Sequence, residues 1–523
     1  MALSHALRGT RGPSVNPEGG RSIIPLLRSP LSRAVAIVTA VTIAAHLALI
    51  GLPAINFEWA FVDAARYFGL HQQELLVRYF GVEANPLGVP LLSYFIHLVL
   101  PFLKIDIAPR LLAISGFAFL AFTLLRISER VGIASSAPLL TAIIFLNPLI
   151  WTFGGRGTAD FLPAAVALCA VALFWDAPDA AGRRILAIFL FGLAIIMKYH
   201  AVLLLPLVWL EELSRPGVNH KKAFVRLCAI SCAILLGPAI YIVVVKQSLG
   251  FWLAPPHYQG IHHLVLTPTF VVTNFISYSG YAGLLLLPFS FLPLWKLGHS
   301  RSGMAKIIGA VLLLFALGFF VVVPNGEMDF GPLDAYLTPR IAGGCFALCA
   351  GLLPLCIADG IQSKGASASN RRYMMCLAAG VFLFIGVLSF TRPAQRYLLF
   401  VLPLAYCFVA RAMVGRRLIV TLVIVVSIAA NVFVSANQVA KGQASAEMMR
   451  QITDDGYVPL TEPGALQLQD GDRFPLEYNP PARYIVIQGK AADAIVVVEK
   501  RPFPLVHKAY SLVLESSPSN QSQ

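Results

Sequence analysis

Apolar runs of roughly 17 to 25 residues recur along most of the chain, the length a helix needs to cross a bilayer. A polar stretch at residues 1–33, with Pro, Gly and five arginines (Arg8, Arg11, Arg21, Arg28, Arg33), precedes the first run. It is too long and too rich in Pro and Gly for a signal sequence, and is expected to be a disordered cytoplasmic tail. Spanning helices are then predicted near 34–53, 110–126 and 136–153, with a fourth returning to the DAPDAAGRR stretch. The segment RILAIFLFGLAIIMKYHAVLLLPLVWL reads as two short helices, because one helix would bury Lys198 in mid-bilayer. Further runs follow near 227–246, 281–298, 306–324, 340–358, 373–390, 397–413 and 417–435. Residues 88–103 are expected to lie at the interface or re-enter.

The loops between these runs orient them. Lys296 to Lys306, Lys364 to Arg372 and Arg416-Arg417 are basic and belong inside by the positive-inside rule. This predicts an all-α polytopic membrane protein of about thirteen crossings, N-terminus in the cytoplasm, over residues 34–435. An outer loop is expected over 247–280. Residues 436–523 contain alternating segments, ARYIVIQ and AIVVVEK, between turn-rich stretches. They predict a small soluble α/β or β domain on the outer side.

Composition sharpens the class. Only 13% of residues are charged, 57% are hydrophobic and mean hydropathy is +0.74, against about 25% charged in soluble domains. The net charge of +14 lies in short loop clusters without interleaved exposed aromatics, which argues against nucleic acid. All eight cysteines fall within apolar runs, so neither a disulfide framework nor a cysteine metal site is expected.

Candidate chemistry gathers at the outer ends of the runs. The stretch Asn147–Pro163 carries Arg156 and Asp160 in a Gly-rich turn between two apolar segments. The same side receives Asp63, Asn85-Pro86, the tip Lys198-Tyr199-His200, Tyr258 in the outer loop, Arg392 and Arg396. A carboxylate at the membrane edge suits deprotonation of an acceptor. Cations beside it suit a phosphate leaving group. Asp160 also suits the cap of the following helix, Lys198 could simply snorkel, and Glu58 reads as a solvated charge. His257, His262 and His263 lack a fixed carboxylate partner and make a poor metal site. No cofactor is called for, and no residue set supports a divalent ion.

Taken in order, these motifs resemble the C-type glycosyltransferase superfamily, in the branch of aminoarabinose transferases and protein O-mannosyltransferases. The resemblance runs through Asp63 in EWAFVDAARYF, Asn85-Pro86-Leu87, Arg110-Leu111, Arg156 with Asp160, Met197-Lys198-Tyr199, and Arg396-Tyr397-Leu398 with Pro403. It covers roughly residues 35–413. It implies a polyprenyl-phosphate-linked sugar as donor and a lipid, glycan or protein acceptor at the periplasmic face of a bacterial inner membrane. In that scheme Asp63 and Asp160 are catalytic, and Arg156, Lys198, Arg396 and Arg392 hold the donor phosphate. Asn85, Tyr199, His200 and Tyr258 line the substrate loop. A transporter or flippase is the rival reading, since broken helices with polar tips also mark transport sites. The absence of an obvious repeat and the one-sided clustering of charge favour the enzyme. A non-catalytic assembly subunit is a third, weaker reading.

Overall fold

The structure is a computed structural model. It describes residues 29–52, 58–70, 76, 86–176, 180–215, 217–253, 265–298, 301–322, 338–362, 367–391, 393–413 and 416–454, and, near the C-terminus, 458–459, 474–477, 483–488, 490, 492, 494–503 and 506–514. Its helices in chain order are α1 (Pro30–Leu47), α2 (Glu58–Leu70), α3 (Gly88–Val99), α4 (Ala108–Arg130), α5 (Ala137–Phe145), α6 (Pro148–Gly154), α7 (Phe161–Asp176), α8 (Ala181–Met197) and α9 (Leu205–Leu213). They continue with α10 (His220–Leu249), α11 (Pro268–Leu285), α12 (Leu287–Gly298), α13 (Arg301–Val321), α14 (Pro339–Ile361), α15 (Ala368–Leu388), α16 (Leu402–Met413) and α17 (Arg417–Asp454).

Local sequence sets many of the starts. Ser29, Asn147 and Thr338 each accept a backbone N–H of the first turn, and a proline follows each of them. Proline costs nothing there, because the first-turn N–H groups have no intrahelical partner. Among the described residues, seven helices (α1, α4, α10, α13, α14, α15, α17) are long and apolar enough to cross a membrane. The count reaches eight if α5 and α6, bent by 70°, form one span. Large apolar side chains such as Phe320 and Leu418 are exposed on these helices at 77% and 83%, as lipid-facing residues are. The chain is therefore an integral membrane protein. The 12-residue α3 is about 18 Å long, short of a hydrocarbon core of ~30 Å.

The bundle is organised around α7, in which every residue from Phe161 to Trp175 is buried. A helix apolar on all sides belongs in the interior. It packs against α4 and α8. Elsewhere small residues let helices touch. A Cβ on Gly280 would lie 2.3 Å from the Phe346 carbonyl oxygen, so α11 and α14 meet backbone to backbone there.

Several boundaries differ from expectation: the helix expected over 136–153 is broken between α5 and α6, and that expected over 397–413 begins as a 3₁₀ turn before α16. The predicted outer loop 247–280 ends early, because α11 starts at Pro268; the segment expected as one helix over 281–298 is divided between α11 and α12. The boundary at 435/436 falls inside α17, which continues unbroken to Asp454. Ala436, Ala440, Ala444 and Met448 are buried at a spacing of four, so a narrow apolar stripe sustains the helix after its overall hydropathy falls. Beyond it, β1 (Val458–Pro459), β2 (Phe474–Glu477), β3 (Arg483–Gln488), β4 (Val496–Phe503) and β5 (Val506–Leu514) form an antiparallel sheet in the order β1-β2-β3-β5-β4. Strands β4 and β5 lie against α17.

Candidate active site

Three breaks in helical structure converge beside α7. Asp160 immediately precedes α7. Lys198 is extended (φ −158°, ψ 119°) between α8 and a 3₁₀ turn, Tyr199–Leu204. Arg396 lies in a second 3₁₀ turn, Gln395–Phe400. Lys198 Nζ donates to Asp160 Oδ1, and Arg396 Nε is 3.8 Å from the same oxygen. Lys198 and Asp160 are 2% and 5% exposed, so this is an interior ion pair rather than a solvated one. Burial alone would push the Asp160 carboxyl up. Lys198 and Arg396 outweigh it and hold the group below its usual range.

Tyr397 forms the floor of this cluster. Its ring lies 5.2 Å from Lys198 Nζ and 5.8 Å from Arg396 Cζ, within cation–π reach. The His200 ring stacks on it at 4.2 Å and 21°. Among the described residues, two cations, Lys198 and Arg396, face the Asp160 carboxylate in a partly desolvated place. Such a site attracts an anion.

A second ion pair fixes the turn that carries Asp160. Glu58, in the first turn of α2, accepts a two-pronged bond from Arg110 of α4, with Nε to Oε1 at 2.9 Å and Nη2 to Oε2 at 2.8 Å. Glu58 Oε1 also accepts the Gly157 N–H at 2.7 Å. Arg110 Nη1 donates to the carbonyls of Ile50, at 3.0 Å, and Leu52. Glu58, expected as a solvated charge, is 2% exposed. A loop that approaches this closely needs glycine, since a Cβ on Gly157 would meet Pro109 Cβ at 2.8 Å and Arg110 N at 3.1 Å.

Arg156 points elsewhere. It lines a cavity of about 30 Å³ together with His46, Glu58, Arg110, Trp151 and Gln438, and its guanidinium lies 5.3 Å from the Phe153 ring. The expected motif around Pro86 comes close to Lys198. The Leu87 N–H donates to Tyr241 Oη at 2.7 Å, and a Cβ on Gly88 would lie 2.5 Å from the Ile196 carbonyl oxygen. Tyr199 Oη donates to the Leu253 carbonyl at 3.4 Å.

Of the sequence candidates, Asp160, Lys198, His200 and Arg396 thus meet in one cluster. Asp63 lies on α2 between the buried Val62 and Ala64, and its side chain is outside the described residues, as are Asn85, Tyr258 and Arg392. Sequence reasoning missed the Glu58–Arg110 fork and the central place of Tyr397. Both sit in motifs it had noted, the acidic start of the first outer segment and Arg396-Tyr397-Leu398.

No family model matches the chain, and no curated protein does. Among solved structures it is similar to the crystal structure of ArnT from Cupriavidus metallidurans bound to undecaprenyl phosphate. That match has 14% identity over 80% of each chain and a TM-score of 0.41. It is also similar to ArnT of Cupriavidus metallidurans in the apo state, at 16% identity over 82% of this chain and 81% of that one, with a TM-score of 0.40.

Proposed function

We propose that the protein is a membrane glycosyltransferase that moves a sugar from a polyprenyl-phosphate donor to a lipid, glycan or protein acceptor. The observation that carries this reading is the convergence of Lys198 and Arg396 on Asp160 beside Tyr397, at the end of a buried helix. A phosphate anchored to a lipid tail lies at the edge of the apolar layer, and a lysine and an arginine side by side there suit it. The motif order set out from the sequence supports the same donor class.

Asp160 is a poor general base. Efficient proton transfer asks for a pKa near the working pH, whereas Asp160 is held low and engaged by Lys198. Its role in this reading is to position the two cations. Asp63 is the proposed base. The acceptor hydroxyl or amine attacks the anomeric carbon from the face opposite the phosphate, and Asp63 takes its proton. The bond between that carbon and the phosphate oxygen breaks, with its electron pair leaving on the phosphate. Lys198 and Arg396, with Arg392, stabilise the developing charge. Arg156, turned toward the small cavity beside His46, is left out of the phosphate cluster, and Asn85, Tyr199, His200 and Tyr258 contact substrate. The proposed topology has about thirteen crossings, N-terminus inside, with the site and the C-terminal sheet on the periplasmic side of a bacterial inner membrane.

The test supplies radiolabelled polyprenyl-phosphate sugars to protein in lipid. Transfer is expected from the native chain, with loss in Asp63→Asn and in Lys198→Gln. Full transfer by Asp63→Asn would move the base elsewhere. Failure of the native chain to bind any donor would overturn the reading.

A further inference from the structure

Away from this site, α12, α13 and α14 enclose an apolar groove of about 560 Å³, lined by Leu287, Leu294, Leu314, Leu352 and Leu355, with Lys306 among its walls. Helix α13 is the least buried of the candidate spans, with 6% of its apolar window buried. Leu312, Leu313 and Leu317 are exposed on it at 65%, 70% and 46%. A Cβ on Gly351 would meet Leu314 Cδ1 at 2.7 Å, so α13 and α14 touch closely at that level while the groove stays open beside them.

Charge is the groove's second feature. Lys306 lies in the second turn of α13 and is exposed. Among the described residues it has no carboxylate partner. From Leu287 to Asn325 the sequence holds Lys296, Arg301 and Lys306 and no acidic residue. An apolar slot walled by the spans α13 and α14 and the short α12, with an ammonium on α13, matches one class of ligand, a lipid with an anionic headgroup. The stem of Lys306 reaches along apolar surface while its charge stays at the interface.

We infer that this groove holds the acyl chain of an anionic phospholipid whose phosphate pairs with Lys306. The site is independent of the transferase reading, since it shares no residue with the Asp160 cluster. One lysine near the membrane surface is worth ~1 kcal/mol toward an anionic lipid, about a fivefold preference. The lipid matches the groove's two features at once, its apolar walls and the Lys306 charge.

The experiment delipidates the full-length protein in detergent and adds phosphatidylglycerol or phosphatidylcholine with matched acyl chains. Native mass spectrometry then counts the lipids retained. The native chain is expected to keep one phosphatidylglycerol about fivefold more readily than phosphatidylcholine. Lys306→Gln should retain both equally, and Ala310→Trp, which puts an indole on a residue of α13 that lines the groove, should keep neither. Equal retention by the native chain would overturn the headgroup assignment. Unchanged retention in a monodisperse Ala310→Trp protein would overturn the groove. A native dimer that Ala310→Trp dissociates would put a second copy of the chain there instead and overturn the inference.

Discussion

The Glu58–Arg110 fork offers a test that needs no substrate. Both side chains are nearly inaccessible, at 2% and 7%. Removing one partner of a buried pair leaves the other charge uncompensated in a low-dielectric interior, a loss of ~3–5 kcal/mol. In Glu58→Gln the Arg110 guanidinium keeps the carbonyls of Ile50 and Leu52 but faces a neutral amide in place of the carboxylate. At ~2.1 cal/mol/K of unfolding entropy per residue, a cooperative unit of 523 residues loses about 1 °C per kcal/mol. Glu58→Gln should therefore melt about 3–5 °C below the native chain, followed as the monodisperse fraction surviving heat in detergent. Arg110→Met should cost a similar amount, since it leaves a buried carboxylate. The double variant removes both charges and should cost clearly less than the two singles together, because contacting groups are not additive. Native-like melting of Glu58→Gln, or strict additivity in the double variant, would refute the argument that this pair fixes α2, α4 and the Asp160 turn.

Asp160 should make stability depend on acid. Its pKa is depressed below the usual 3.8, so its ion pairs contribute above that value and the contribution is lost as pH falls through the lower, folded-state pKa. Native protein should be more stable than Asp160→Asn near neutrality, and the two should converge in acid. A gap that stays constant down to pH ~2, well below the ordinary carboxylate range, would contradict this. Gly157→Ala should weaken the same turn by steric means, because the new Cβ would press on Arg110 N at 3.1 Å. Melting equal to the native chain would show that the turn relaxes freely.

The sequence by itself determined that the chain is a membrane protein, and where many helices lie. Lipid cannot satisfy backbone polar groups, so apolar runs must be helical whatever packs beside them, and pairs such as Ser29-Pro30, Asn147-Pro148 and Thr338-Pro339 mark helix starts locally. The break at Lys198 was legible for the same reason, since a lysine in mid-bilayer is costly. It also brought Asp160, Lys198 and Arg396 to one end of the bundle, as candidates only. Tertiary structure decided which charges meet. Lys198 and Arg396 share one oxygen of Asp160 although they come from distant turns, while Arg156, four residues from Asp160, faces a small cavity beside His46 instead. Glu58 looked solvated because its partner Arg110 lies 52 residues further along the chain. The extension of α17 past residue 436 depends on a one-in-four stripe covered by neighbouring structure, and mean hydropathy does not register so narrow a pattern. Ion pairs act over a few ångströms and rotate with each helix, so sequence order places charges at an end of the bundle, and packing selects the pairs.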